Sequence, residues 1–171
     1  LDSFYTNLYS GGEEVARFFR EKNLKRVAYL GEGKSEKYKG FLSECSKGEN
    51  INRLEDNVLF SLAKDLRKVV KESIAKINFD CDGYFFSSDT IALLFLEEIN
   101  KLGMSLGNKV LVGYDNTIIS KTLNISSVEQ PMSKMAEKAI ELLLDKVLKN
   151  IDIDEIHNVG LEPKLIKISI K

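Results

Sequence analysis

The sequence predicts an α/β protein, a parallel sheet with helices on both faces. Two patterns carry the prediction. Short apolar runs read as buried strands, and between them lie segments of about a dozen residues whose apolar side chains recur at helical spacing. Strands alternating with helices of that length are joined by right-handed crossovers and lie parallel. With 171 residues and 43% hydrophobic side chains, the chain is long enough to bury one sizeable core, so one domain with appendages is expected.

Ser10-Gly11-Gly12-Glu13 has a capping-box pattern, and Val15, Phe18 and Phe19 follow at helical spacing, which predicts a helix to residue 23. The apolar run 27–31 ends in glycine and reads as a strand. Residues 35–46 then place Tyr38, Phe41, Leu42 and Cys45 on one helical face. After a polar stretch over 47–57, the run 58–60 predicts a strand. A helix from residue 61 puts Leu66, Val69, Val70, Ile74 and Ile77 on one side. A strand over 83–87, a strongly apolar helix over 89–102 closed by Gly103, and a strand over 110–114 repeat the unit.

The rhythm then changes. Residues 116–130 carry no helical stripe, Pro131 suits a first helical turn, and Met132, Met135, Ala136, Ala139, Ile140, Leu143 and Val147 form a long amphipathic face. Residues 166–170 alternate apolar and polar as a final strand.

Charge narrows the function classes. Lys plus Arg total 25 against 26 Asp plus Glu, a net charge of −1, so no field holds a polyanion and nucleic-acid contact by this piece is not expected. Cys45 and Cys81 lie far apart, and the single histidine, His157, sits in a polar stretch; no zinc site is expected, and the free thiols fit a reducing cytoplasm. Asp80 and Asp82 lack the further ligands a metal needs. No nucleophile elbow or catalytic constellation is present, so neither catalysis nor a cofactor is expected. No window reaches the roughly 18 apolar residues of a membrane span, and no leader opens the chain. The first residue is Leu1 rather than Met, as in a fragment or an incompletely observed chain.

Ligands of open parallel sheets bind outside the carboxyl ends of the strands. Three predicted strands end there in polar clusters: Gly31-Glu32-Gly33-Lys34, Ser87-Ser88-Asp89 and Tyr114-Asp115-Asn116. Hydroxyls, an amide, a carboxylate and a lysine on one rim suit a small polyol, sugar or nucleoside, whose hydroxyls need both donors and acceptors. Asp89 reads either as a helix cap or as a contact, and Asp115-Asn116 either as a turn or as a contact. The run from Ala28 to Ser35 fits a relaxed phosphate-loop pattern, but Tyr29 and Leu30 read as strand residues and leave too little loop to wrap a phosphate.

Val112-Gly-Tyr-Asp-Asn-Thr117, followed by Ser126-Ser-Val-Glu-Gln-Pro-Met132 and a long helix, resembles the hallmark run of the lactose/galactose repressor family. Asn7 with Gly11-Gly12 resembles that family's D-N-x-x-G-G opening, residues 25–31 its following strand, Tyr38-Lys-Gly-Phe41 its R-x-x-G-F helix, and residues 82–89 its D-G-x-x-x-S-S-D run. The pieces occur in family order over nearly the whole chain.

The resemblance implies a type I periplasmic-binding-protein-like sensor of two lobes with the effector in the cleft between them. It implies one lobe plus pieces of the other, truncated. Residues 1–24 would belong to, or bridge from, the N-terminal lobe; 25–130 would form the C-terminal lobe, 131–150 the crossover helix of the N-terminal lobe, and 151–171 a return segment and final strand. By the same resemblance Asp115 accepts hydrogen bonds from effector hydroxyls, Ser88 is a polar contact, Gln130 lines the crossover, Phe60 stacks on the ligand, and Asn7 joins the set. Lys37 stands where the family has arginine and offers a point charge rather than a planar fork. The implied function is effector sensing, for a sugar or nucleoside-like metabolite, by a cytoplasmic homodimeric repressor that meets operator DNA only through an upstream headpiece. The alternative is a solute-binding protein of a sugar ABC transporter. The helix over 89–102, with Ile91, Leu93, Leu94, Phe95, Leu96, Ile99 and Leu102, carries a wider apolar band than one sheet face covers, so its outer side is expected to seat the dimer partner.

Overall fold

The computed structural model describes residues 2–47, 58–59, 65–77, 79–148 and 156–168. Its main body is a six-stranded sheet. The strands are β2 (Val27–Gly31), β3 (Val58–Leu59), β4 (Gly83–Phe86), β5 (Val110–Tyr114), β6 (Ser126–Glu129) and β8 (Lys164–Ile166), in the order β3-β2-β4-β5-β6-β8. All neighbours are parallel except β6 and β8, which are antiparallel. β2 is buried along its whole length, as a strand covered on both faces must be.

The period of two along each strand divides the core. Val27, Tyr29, Phe85, Val112 and Tyr114 face one layer, built from α1 (Leu8–Glu21) and α2 (Glu36–Ser46). Ala28, Leu30, Tyr84 and Phe86 face the other, built from α3 (Leu66–Ile74) and α4 (Asp89–Lys101). Tyr29, Phe41 and Phe85 pack against one another in tilted and edge-to-face arrangements with ring centroids 5.2–6.3 Å apart, each worth about 1.5–3 kcal/mol of burial.

Several expected boundaries move. α1 starts at Leu8 because Asn7, not Ser10, is its cap: the Asn7 Oδ1 accepts from the Ser10 amide at 3.2 Å. Gly11 and Gly12 therefore lie inside the helix, where a Cβ on Gly12 would collide with the Lys37 carbonyl of α2. α1 packs in the core of the six-stranded sheet, with Val15 and Phe19 fully buried there, while β1 before it lies in the two-stranded sheet. Asp65 caps α3, so that helix begins later than residue 61. Residues 116–130, which show no stripe in sequence, contain α5 (Ile118–Leu123) and β6. The last strand described runs over Lys164–Ile166 rather than 166–170; residues 169–171 lie outside the described residues.

The expected outer face of α4 is covered within the chain. Ile91, Leu94, Phe95 and Ile99 are buried, Leu93 and Leu96 half-buried, and only Leu102 is exposed, at 61%. α3 and α5 flank the helix, and an Arg67–Glu97 pair at 2.6 Å lies across it.

A second, smaller layer comprises β1 (Ser3–Thr6) paired in parallel with β7 (Asn158–Leu161), and α6 (Met132–Leu148) beside them. No described residue of α6 is buried, and Ile140, Leu143, Leu144 and Val147 are 50–65% exposed. The chain crosses between the two layers at Asn7, Gln130 and Glu162. These crossings sit together: the Asn7 amide donates to the Leu161 carbonyl at 2.8 Å, and the Asn7 Nδ2 to Glu162 Oε1 at 2.8 Å.

Candidate functional site

The carboxyl ends of β2, β4 and β5 open side by side onto a cavity of about 370 Å³. Tyr29, Glu32 and Ser35 line it from the first strand end, Ser87 and Ser88 from the second, and Asp115 from the third; Leu8 and Lys37 complete it from the first turns of α1 and α2. Three sequence-predicted residues, Lys37, Ser88 and Asp115, thus meet in one place. A smaller cavity of about 210 Å³ at the amino ends of β5 and β6 is floored by Phe18, Leu111 and Ile125 and gathers none of them.

Each polar group is held by its own local structure. Lys37 donates from Nζ to the Ser87 carbonyl at 2.9 Å and lies 3.8 Å from the centroid of the Tyr114 ring. Burial pushes its pKa below the ordinary value, while Asp115 and Asp89 pull in the other direction. The ammonium has three donors, and one of them is spent on the Ser87 carbonyl. Ser35 caps α2, accepting from the Tyr38 amide and donating to the Glu32 carbonyl at 2.7 Å, so the Tyr29 hydroxyl donates to Ser35 Oγ at 3.0 Å. With β2 running through Gly31 and Ser35 already a cap, only residues 32–34 connect them, too few for a phosphate loop.

Asp115-Asn116 is a turn and also a cavity wall. Both residues have positive φ, 98° and 46°, a conformation that non-glycine residues hold only under constraint. The constraint is visible: the Asp115 amide donates to the Val128 carbonyl at 2.7 Å, the Asn116 amide to Ser127 Oγ at 3.0 Å, and the Asn116 Nδ2 to Glu129 Oε1 at 2.9 Å. Gln130 lies beside this wall and donates from Nε2 to Asp115 Oδ1 at 2.6 Å. Its Oε1 in turn accepts from Thr6 Oγ1 at 2.9 Å.

Asp89 is neither cap nor cavity contact. The cap of α4 is Ser88, whose Oγ accepts from the Ile91 amide at 3.3 Å. Asp89, 1% exposed, turns inward and accepts from the Thr117 amide, Thr117 Oγ1 and Ser127 Oγ at 2.7–2.8 Å. Gly113 leaves room for that carboxylate, since a Cβ there would strike Asp89 Oδ1. Asn7, expected among the ligand contacts, spends its side chain on capping α1 and on Glu162 and does not line the cavity. Phe60 lies outside the described residues. Glu32 and Ser87 line the cavity as members of the expected strand-end clusters, and Tyr29 and Ser35 line it without having been singled out; their signal was a strand-end position beside those clusters.

Residues 16–167 match the periplasmic binding protein-like domain family. The sucrose operon repressor of Lactococcus lactis subsp. lactis is 29% identical over 151 residues, covering 86% of this chain and 42% of that protein. The chain thus spans less than half the length of this curated relative. Among solved structures, a periplasmic binding protein/LacI transcriptional regulator of Alkaliphilus metalliredigens complexed with D-xylulofuranose superposes with a TM-score of 0.76 at 23% identity, covering 100% of this chain and 66% of its own. A LacI-family transcriptional regulator of Enterococcus faecalis with bound ribose has a TM-score of 0.76 at 19% identity, covering 98% and 62%. At these identities the structural likeness is one of fold.

Proposed function

The chain belongs to the periplasmic binding protein-like domain family, and from that premise we propose that it is the effector-sensing part of a repressor of the lactose/galactose repressor kind. Its effector is a small hydroxylated metabolite, a sugar or nucleoside, held at the carboxyl ends of β2, β4 and β5. The observation that carries this reading is the cavity wall: two acidic residues, Glu32 and Asp115, and one lysine, Lys37, set among Tyr29, Ser35, Ser87 and Ser88, which carry hydroxyls. Such a wall offers both acceptors and donors to a polyol. Relatives named as an operon repressor and as sugar-bound regulators support the regulator reading over a transporter solute-binding protein.

The effector acts by binding one relative arrangement of the two layers better than another, which is the condition for any ligand to shift a population. The regulator works as a homodimer in the cytoplasm, so that two headpieces meet the half-sites of an operator. The net charge of −1 supports DNA contact through those headpieces rather than through this chain. Titration of the full-length protein with D-ribose, D-xylulose, cellobiose and sucrose by calorimetry tests the reading. Asp115→Ala is expected to weaken the sugar that binds by about 1.5–3 kcal/mol, the scale of a hydrogen bond to a charged acceptor. Undiminished affinity in a correctly folded variant would remove Asp115 from the site.

A further inference from the structure

Thr6 is the one residue of β1 that is buried, and its hydroxyl points across the layers at Gln130. Its Oγ1 donates to Gln130 Oε1 at 2.9 Å, and Gln130 Nε2 donates to Asp115 Oδ1 at 2.6 Å. The chain of bonds runs one way only. Turning the Gln130 amide over would set its oxygen against the Asp115 carboxylate, acceptor against acceptor, and would leave the Thr6 proton only the weak acceptor Met135 Sδ at 3.8 Å. Gln130 is also followed by Pro131, which restricts its backbone to extended conformations, so the side chain reaches Asp115 from a stiff base. The consequence for Asp115 is specific: with Oδ1 engaged, Oδ2 is the oxygen left for a ligand, on a backbone already fixed at φ 98°.

We propose that Thr6 is a positioning residue for the ligand site: acting through Gln130, it orients the Asp115 carboxylate without lining the cavity itself. The inference rests on the sugar-binding role given to Asp115 above. It adds a residue from the second layer whose hydroxyl sets the affinity of a site in the first.

The test uses calorimetry on the full-length protein with the same four sugars. Thr6→Val keeps the side-chain shape and removes the donor; it is expected to weaken the sugar that binds wild type about fivefold. Thr6→Ser restores the hydroxyl and is expected to bind within twofold of wild type. In a Gln130→Leu background, Thr6→Val is expected to cause no further loss, because the relay is already cut. A melting temperature for each variant separates affinity from folding: a role in packing alone would lower stability in both backgrounds and leave affinity untouched. Wild-type affinity in Thr6→Val, equal weakening in Thr6→Ser, or full additivity with Gln130→Leu would each overturn the proposal. Failure of wild type to bind any of the four sugars would instead overturn the sugar-sensing reading beneath it.

Discussion

Asp89 shows how a side chain can be conspicuous in sequence for the wrong reason. It stands beside a helix start and a predicted ligand rim, and local sequence offers those two roles; the fold gives it a third. Its carboxylate collects three donors from Thr117 and Ser127 and ties the turn after β5 to the start of α4. Nothing in the spacing of residues 89, 117 and 127 announces that contact, because it joins segments that only the parallel pairing of β4, β5 and β6 brings together. Asp89→Ala leaves those donors without their acceptor in a buried place and is expected to cost about 3 kcal/mol, measured by urea unfolding; a loss below about 1 kcal/mol would mean that water replaces the carboxylate. Lys37 carries the complementary expectation. Lys37→Met keeps an unbranched side chain but deletes the ammonium over Tyr114 and its bond to the Ser87 carbonyl, so sugar affinity should fall about tenfold by calorimetry while urea unfolding shows a loss of no more than about 1–2 kcal/mol.

Among the elements, the strands and the longer helices were legible because each combines an apolar run or stripe with a stop signal. What escaped was short or polar. α5 spans Ile118–Leu123, under two turns, which is too little for a stripe to register. β6 reads Ser-Ser-Val-Glu, yet its first three residues are buried, because Ser126 and Ser127 spend their hydroxyls on Ile168 and Asp89. The start of α1 was misplaced because Asn7 and Ser10 are both good caps and both reach Glu162; the bond of the Asn7 amide to the Leu161 carbonyl, which fixes Asn7 at the helix start, joins residues far apart in sequence. The α1–α2 interface yields two expectations. Gly12→Ala forces a Cβ onto the Lys37 carbonyl and should destabilise by about 1–3 kcal/mol, and it should also weaken sugar binding by shifting Lys37; unaltered affinity would separate the packing of this interface from the site. Glu44, 5% exposed, joins the same helices through Arg20 and Lys47. Burial alone would raise its pKa, but those partners more than offset it and hold the value below the ordinary 4.5. A group depressed on folding stabilises above its unfolded pKa and loses that contribution as pH falls through the folded one. Glu44→Gln should therefore flatten the stability-against-pH curve below about pH 4.5, the ordinary value, as followed by circular dichroism.

For the molecule as a whole, the α/β class and a polar rim at the strand ends followed from sequence rhythm, and the family from a run of motifs. Two apolar faces stood out in the sequence, one over 89–102 and one over Met132–Val147. The broad apolar band of α4 looked unsatisfied only because flanking helices α3 and α5 are invisible to a pattern read one helix at a time. The exposed apolar face lies on α6 instead, where covering a large side chain is worth about 1.5–3 kcal/mol. The isolated 171-residue chain is therefore expected to self-associate at micromolar concentration, and a Leu143→Glu, Val147→Glu double variant to sediment nearer the 19.3 kDa of one chain. A wild-type chain that sediments as a monomer would sink this expectation.

The clustering of the three layer crossings has a mechanical meaning. Asn7, Gln130 and Glu162 leave one layer for the other within a few hydrogen bonds of each other, so the two layers share a narrow waist and little else among the described contacts. A waist of this kind resists sliding, because a translation would break the Asn7–Leu161, Asn7–Glu162 and Thr6–Gln130 bonds together. It resists bending far less, since a bend is absorbed by the backbone torsions of a few residues at element ends. The joint therefore has few degrees of freedom, and one of its bonds leads through Gln130 to Asp115 on the cavity wall.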